Sequence, residues 1–198
     1  VSTDSDDYAE IARHYGAEAP FLRPTEFAGS LSPDIECVEH ALTMLEGLGR
    51  NYDCFSVLRP TSPFRQAETI KRAWQQFSED PGVDSLRAVE LCTQHPGKMW
   101  KVQGNRMTPL LPAAAGKQPW HSSQYQALPE VYVQNASLEI AWTKVVQESR
   151  TIAGEVIMPF LTVGHEGFDI NSPNDWRDAE YLLADGVTLP KVLQKPFA

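Results

Sequence analysis

The stretch from residue 156 to residue 176 constrains the fold most, because a strand pattern leads into a helix start with only a short turn between them. The run Val156-Ile157-Met158-Pro159-Phe160-Leu161-Thr162-Val163 is apolar and has the length of a buried strand. Ser172 followed by Pro173 predicts a helix N-terminus with Ser172 as N-cap, and the helix is predicted to run to about Ala184. Such a strand-to-helix unit is typical of α/β folds.

Asp169 and Asn171 lie between that strand and that helix. In an extended segment, two residues separated by one position point to the same side. Two oxygen ligands on one side suit Mg²⁺, which leaves its other positions to water and substrate phosphates. The alternative is that both residues are turn residues that only cap the helix, and spacing alone favours this alternative.

The same alternation of strands and helices recurs along the chain. Helices are predicted over residues 5–15, 32–47, 67–77 and 143–150, and strands over residues 20–22, 54–58, 85–92, 131–133 and 138–142. Alternation of this kind predicts parallel strands and an α/β sheet. Residues 93–130 break the pattern, with a predicted hairpin turning at Gly104-Asn105 and a long loop, which in compact domains usually serves a site or an interface.

Charge and composition narrow the possible partners. The net charge of −9 argues against non-specific binding of nucleic acid, which needs a basic surface. No apolar run approaches the roughly 18 residues of a membrane span, and no signal peptide opens the chain. The cysteines at 37, 54 and 92 are far apart, as expected for free thiols in a reducing cytoplasm.

Polar clusters recur where predicted strands end and helices begin. They are Thr3-Asp4, Arg59-Pro60-Thr61-Ser62 and the Asp169–Asn171 pair, with Arg23 following the small strand at 20–22. In a parallel sheet these clusters meet at one edge, and helix N-termini and arginine there favour a ligand that carries phosphate. The chain contains neither a glycine-rich nucleotide loop nor a nucleophile elbow.

Several segments, in this order, resemble a known family. They are Val1-Ser2-Thr3-Asp4-Ser5, Leu22-Arg23-Pro24-Thr25-Glu26, Leu58-Arg59-Pro60-Thr61-Ser62-Pro63-Phe64-Arg65, Leu128-Pro129-Glu130-Val131-Tyr132 with Asn135, and Phe168-Asp169-Ile170-Asn171-Ser172-Pro173 with Asp175. Their order is similar to that in the acylneuraminate cytidylyltransferases, also called CMP-sialic acid synthetases. The resemblance covers nearly all 198 residues.

The resemblance implies a Rossmann-like nucleotidyltransferase sheet with helices on both faces, in a single domain over residues 1–198. It implies an enzyme that uses CTP and Mg²⁺ to activate an acidic nine-carbon sugar, giving a CMP-sugar and pyrophosphate. Residues 93–130 then correspond to an insert that contributes to a homodimer and to the sugar site.

The resemblance also implies roles for individual residues. The cytosine and ribose side would be Arg23, Ser32 and Asp34, and the sugar or phosphate side would include Arg59 and Thr61. Lys98 and Asn135 would contact the sugar, and Asp169 with Asn171 would bind the metal. The catalytic candidates are therefore Arg59, Lys98 and Asp169.

The chain departs from the family pattern at several positions. Asn171 replaces a second Asp, Arg59 stands where Gln is usual, Gln134-Asn135-Ala136 replaces Pro-Asn-Gly, and Tyr125 stands where Arg is usual. The family's first strand, basic phosphate loop and two helices precede the segment that matches Val1, so the chain is expected to be a C-terminal portion lacking N-terminal strands. Two alternatives remain: a cytidylyltransferase for another 2-keto sugar acid of the eight-carbon type, and a non-catalytic relative.

Overall fold

A four-stranded sheet forms the centre of the protein in the computed structural model, which describes residues 1–112 and 116–192. In chain order the strands are β1 (Cys54–Val57), β2 (Ser85–Leu91), β3 (Trp100–Gln103), β4 (Arg106–Pro109), β5 (Tyr132–Trp142) and β6 (Ile157–Leu161). The central sheet has the order β1-β5-β2-β6, and β3 pairs with β4 as a separate hairpin.

One strand of the central sheet runs against the others. β2 and β6 are parallel, whereas β5 is antiparallel to both β1 and β2. The prediction of parallel strands is therefore wrong for β5, because apolar runs predict strands but carry no information about their neighbours. As a result, the carboxyl ends of β1, β2 and β6 meet the amino end of β5 at one end of the sheet, which we call the carboxyl edge.

Two further strand predictions are wrong. Residues 131–133 and 138–142 belong to the single strand β5, in which a register shift opposite Arg87 and Val89 absorbs the polar residues between them. Residues 20–22 form no strand; the neighbouring Arg23 backbone N–H instead donates to the Thr3 carbonyl at 2.7 Å. Pro20 has no N–H with which to extend a ladder.

The predicted helices form close to their expected bounds. They are α1 (Asp6–His14), α2 (Asp34–Gly47), α3 (Ala67–Ser78), α4 (Thr143–Ser149) and α5 (Pro173–Ala184). Side-chain caps explain two of the starts: the Ser5 hydroxyl accepts from the Tyr8 amide, and Ser172 forms a capping box with Asp175. Among the described residues, no helix is both long and apolar enough to cross a bilayer.

The main core lies between α3 and one face of the sheet. Phe77 of α3 is fully buried against Leu86, Leu138 and Phe160 of the strands. β1 is an edge strand and only partly buried, which corrects the prediction of a buried parallel strand at 54–58. The opposite face carries the charged side chains of Arg87 and Glu139, and Arg59 links Glu139 to Asp34 at the start of α2. This polar face leads to the cavity at the carboxyl edge.

Candidate active site

The carboxyl edge holds a cavity of about 510 Å³, a size suited to a small-molecule ligand. Its lining comes from the segments that follow β1 and β6, from the last residues of β2, and from β5. The structure brings four predicted site residues together there: Arg59, Asn135, Asp169 and Asn171. Glu90 and Glu139 line the same cavity.

Asp169 and Asn171 contact each other at the carboxyl end of β6. The Asn171 Nδ2 group donates to Asp169 Oδ2 at 2.6 Å, while Asp169 Oδ1 is buried and has no hydrogen-bond partner in the part of the chain that the structure describes. The Ile170 amide donates to the Thr61 carbonyl at 2.9 Å, which ties this segment to the one that follows β1. The Asp175 carboxylate accepts from the Asn171 amide at 2.9 Å and thereby links the pair to α5.

The buried oxygen of Asp169 fits a divalent cation. An unpartnered carboxylate oxygen is costly unless a proton donor or a cation reaches it. A half-turn of the Asn171 side-chain amide would replace its nitrogen by its oxygen. The cation would then meet a second oxygen ligand, which is neutral, beside the carboxylate of Asp169. The described ranges 1–112 and 116–192 contain no group of three or more His, Cys, Asp or Glu side chains arranged for a metal. Water and phosphate would therefore supply most ligands, as is usual for Mg²⁺.

Arg59 lies in a row of alternating charges. Its guanidinium donates to Asp34 Oδ1 at 3.2 Å and to Glu139 Oε1 at 3.3 Å, and Arg87 pairs with the other oxygen of Glu139. The hydrogen bond with Arg59 lowers the pKa of Asp34, and the same bond raises the pKa of Arg59. The ion pair between Asp34 and Arg59 thus joins a residue predicted for the nucleoside side to one predicted for the sugar side. The same contacts hold the positively charged Arg59 guanidinium in place.

Asn135 forms the opposite wall with its amide engaged by protein groups. Its Nδ2 donates to Glu90 Oε2 at 3.1 Å and to Thr162 Oγ1 at 2.9 Å, while its Oδ1 accepts from the Ser137 amide at 3.2 Å. Gly167 approaches this amide so closely that an added Cβ would lie 2.3 Å from Asn135 Nδ2. Only glycine fits this contact without displacing the wall.

The other residues predicted for the nucleoside side, Arg23 and Ser32, are not among the residues that line the cavity. The Ser32 hydroxyl accepts from the Gly29 amide at 3.2 Å and donates to the Glu26 carbonyl at 3.3 Å. The buried Nε of Arg23 has no partner within residues 1–112 and 116–192, and the charge of Arg23 contributes to lowering the pKa of Asp34, after the larger effect of Arg59. The backbone carbonyl of Thr61 accepts the hydrogen bond from the Ile170 amide that was described above.

Lys98 also lies outside the lining of the cavity. It lies in a short 3-10 turn in the 93–130 segment, and its ammonium donates to the His121 carbonyl at 3.1 Å and to the Ser123 carbonyl. Nearby His95 is buried, with Nδ1 accepting from the Gly97 amide at 2.9 Å and Nε2 in contact with the Pro129 carbonyl at 3.1 Å. These bonds fold the segment on itself. Residues 113–115 of the predicted loop lie outside the described residues.

Two important residues, Glu139 and Glu166, were absent from the sequence-based prediction. Glu139 had a signal, since an acid inside an apolar strand requires a partner, and that partner is Arg87. Glu166 had no comparable signal. Its Oε1 accepts from Thr69 Oγ1 at 2.6 Å, and its Oε2 accepts from Arg72 Nη2 at 2.6 Å and from the Val163 amide at 2.8 Å.

The fold is that of a nucleotidyltransferase. The structure is similar to a solved structure of CMP:2-keto-3-deoxy-manno-octonic acid synthetase complexed with CTP, with a TM-score of 0.62 and 11% identity, over 93% of this chain and 80% of that one. No protein-family model matches the chain.

Sequence comparison identifies the family. CMP-N,N′-diacetyllegionaminic acid synthase from Legionella pneumophila is 31% identical over 192 residues, which cover 92% of this chain and 76% of that protein. N-acylneuraminate cytidylyltransferase from Escherichia coli is 41% identical over 73 residues, covering 37% of this chain and 16% of that protein. The chain belongs to the acylneuraminate cytidylyltransferase, or CMP-sialic acid synthetase, family, which confirms the resemblance seen in the sequence.

Proposed function

We propose that this chain transfers CMP from CTP to a nonulosonic, sialic-type sugar acid and releases pyrophosphate. The observation that carries the proposal is the buried, unpartnered Asp169 Oδ1 at the cavity of a chain 31% identical to a CMP-legionaminic acid synthase. In this reaction the anomeric hydroxyl of the sugar attacks the α-phosphate of CTP. Such a transfer depends on alignment and on neutralised phosphate charge more than on covalent help from the protein.

Mg²⁺ is the proposed cofactor, held by Asp169 and Asn171. The cavity is lined by one cationic side chain, Arg59, and by the acidic side chains of Glu90, Glu139 and Asp169. This excess of negative charge favours a cation, and two anionic substrates need one. When bound, the metal would neutralise phosphate charge and orient the two reactants. The chain's own contribution is the anchored segment 167–171 and the fixed charge of Arg59.

The substrates are assigned to opposite sides of the cavity. The nucleoside of CTP is proposed to lie near Arg23, Ser32 and Asp34, of which Asp34 is joined to the cavity residue Arg59, and the phosphates are proposed to lie near Thr61. The sugar acid is proposed to contact Arg59 and Asn135, with Lys98 reaching it from the neighbouring subunit. Among the described residues the Ser137 amide is the one donor to Asn135 Oδ1, which leaves a lone pair of that oxygen for a sugar hydroxyl.

Replacement of Asp169 by alanine tests the metal assignment. In the natural protein that carries this chain, D169A is expected to reduce CMP-sugar formation by at least about a hundredfold, because metal and phosphate alignment both depend on that oxygen. The control is D178A, which removes an exposed carboxylate from α5. Near-normal turnover of D169A would disprove the assignment.

A competition assay decides the sugar class. Nine-carbon sialic-, legionaminic- and pseudaminic-type acids and an eight-carbon 2-keto acid would be offered together with CTP, and the CMP-sugars would be separated. We expect nine-carbon products. An eight-carbon product would favour the other cytidylyltransferase, and CTP binding without any product would favour a non-catalytic relative.

The insert at 93–130 is proposed as the interface of a homodimer. Its hairpin exposes apolar side chains, with Val102 at 73% and Met107 at 57% exposure. Sedimentation should show a dimer that V102E dissociates, whereas V192E, which alters a valine of 65% exposure outside the insert, should remain dimeric.

A cytoplasmic location is proposed from the free thiols of Cys37, Cys54 and Cys92, and cell fractionation tests it.

A further inference from the structure

Glu166 anchors the turn that leads from β6 to Asp169. Its side chain is only 14% exposed, and both carboxylate oxygens accept hydrogen bonds. Thr69 and Arg72 donate from α3, and the Val163 amide donates from the start of the turn itself. A single carboxylate therefore joins the turn at residues 163–167 to the helix that packs on the sheet.

The segment beyond Glu166 has little freedom to absorb a displacement. The Phe168 amide donates to the His165 carbonyl at 3.1 Å, and the Ile170 amide donates to the Thr61 carbonyl at 2.9 Å. On the cavity side, Gly167 presses against the side chains of Asn135 and Glu90. Tightly packed contacts transmit displacement instead of deforming smoothly. Movement of Glu166 relative to α3 therefore moves Asp169 relative to the cavity wall.

We propose that Glu166 is a positioning residue: through Thr69 and Arg72 it sets the location of Asp169 against Arg59 and Asn135. Its effect on the reaction rests on the proposed function, in which Asp169 holds the divalent cation. Its effect on the segment 167–171 does not depend on that function. Glu166 lies outside the cavity lining and is not expected to touch either substrate.

The variant E166Q isolates this role. Glutamine keeps the shape and can still accept from Thr69, but its amide N–H₂ replaces the oxygen that accepts from Arg72 and Val163. The matched control is E68Q. It neutralises Glu68, an exposed glutamate of α3 that pairs with Lys71 at 3.5 Å. The double variant E166Q/R72M tests whether both residues act as one unit.

Two readouts separate positioning from a merely structural role. The first is hydrogen exchange at the Phe168 and Ile170 amides, which should become about tenfold faster in E166Q and remain unchanged in E68Q. The second is the Mg²⁺ concentration that half-saturates CTP binding, measured by calorimetry, which should rise about tenfold in E166Q. E166Q/R72M should match E166Q in both readouts.

The possible outcomes distinguish the two proposals. A lower unfolding midpoint with unchanged exchange and unchanged Mg²⁺ dependence would make Glu166 structural and overturn the inference. Faster exchange with normal Mg²⁺ dependence would overturn the link to Asp169. If the natural protein shows no Mg²⁺-dependent CTP binding, the proposed function fails, whereas exchange at Phe168 and Ile170 still decides whether Glu166 positions the segment.

Discussion

Glu139 shows how one buried charge organises the wall of the cavity. Its side chain is 6% exposed and faces Arg87, 12% exposed, directly across the β2–β5 pair. Arg59 reaches the other oxygen of Glu139 and continues to Asp34. Glu139, a residue of β5, therefore helps to fix the position of the Arg59 guanidinium in the loop that follows β1.

Removal of Glu139 should cost much more stability than removal of an exposed glutamate. E139L leaves Arg87 buried without its partner, and we expect the free energy of unfolding to fall by about 3–5 kcal/mol. E68L on the surface of α3 should change it by less than about 1 kcal/mol. Urea unfolding of both variants measures the difference, and equal effects would contradict the role assigned to Glu139.

Gly167 should tolerate no side chain. In G167A the new Cβ would lie 2.3 Å from both Asn135 Nδ2 and Glu90 Oε2, so the two side chains or the turn must move. We expect a loss of about 1–3 kcal/mol in the free energy of unfolding, typical of overpacking. G47A at the end of α2 should instead be neutral or more stable, because beyond its chain neighbours and its own helix backbone no described atom lies within 4 Å of the new Cβ. Retention of wild-type stability by G167A would show that the wall yields easily.

At the level of elements, α5 depends on its capping box. The Ser172 hydroxyl accepts from the Asp175 amide at 3.4 Å, and the Asp175 carboxylate accepts from the Ser172 amide at 2.7 Å. S172A should lower the free energy of unfolding by about 1 kcal/mol because a helix amide loses its acceptor. S149A, at the exposed end of α4, is the control. Thermal unfolding compares them, and identical midpoints would show that the cap adds nothing.

Elements with local signals were predictable from sequence, and those defined by distant partners were not. The start of α5 follows from Ser172, Pro173 and Asp175, which are neighbours in the chain. The single strand β5 depends on pairing with β2, about 50 residues away, and the polar residues around Asn135 conceal it. The meeting of Arg59 with Asp169 and Asn171 was predictable because the ends of strands share an edge, whereas Asn135, inside the reversed strand β5, was indicated only by the family resemblance. The anchoring of Glu166 by α3 was not, because its partners lie more than 90 residues away.

The whole molecule should lose stability in acid. The hydrogen bond from Arg59 lowers the pKa of Asp34 below its usual 3.8. For Glu166, burial acts to raise the pKa, but hydrogen bonds from Thr69, Val163 and Arg72 outweigh it and lower the pKa below 4.5. A lowered carboxyl pKa adds stability above the unfolded value, and this stability is lost as pH falls through the folded value.

Urea unfolding between about pH 7 and pH 3 measures this effect. We expect the free energy of unfolding to be nearly constant above about pH 5 and to fall below it, because the unfolded chain then binds more protons than the folded chain. D34N removes one of the two carboxylates and should flatten the decline. A decline of unchanged slope in D34N would show that Asp34 does not contribute.

The reversed direction of β5 also bears on how such a protein diversifies. The chain leaves β2 and re-enters β5 at the same end of the sheet, where the Cys92 amide donates to the Val131 carbonyl at 2.9 Å. The segment at residues 93–130 thus begins and ends at neighbouring positions, which this backbone hydrogen bond joins. These positions lie beside the cavity residues Glu90 and Val133. Doubling the length of such a loop adds only about 0.6 kcal/mol of closure entropy. Evolution can therefore exchange this segment as a unit, altering the surroundings of the cavity while the sheet and the core packed against α3 stay intact.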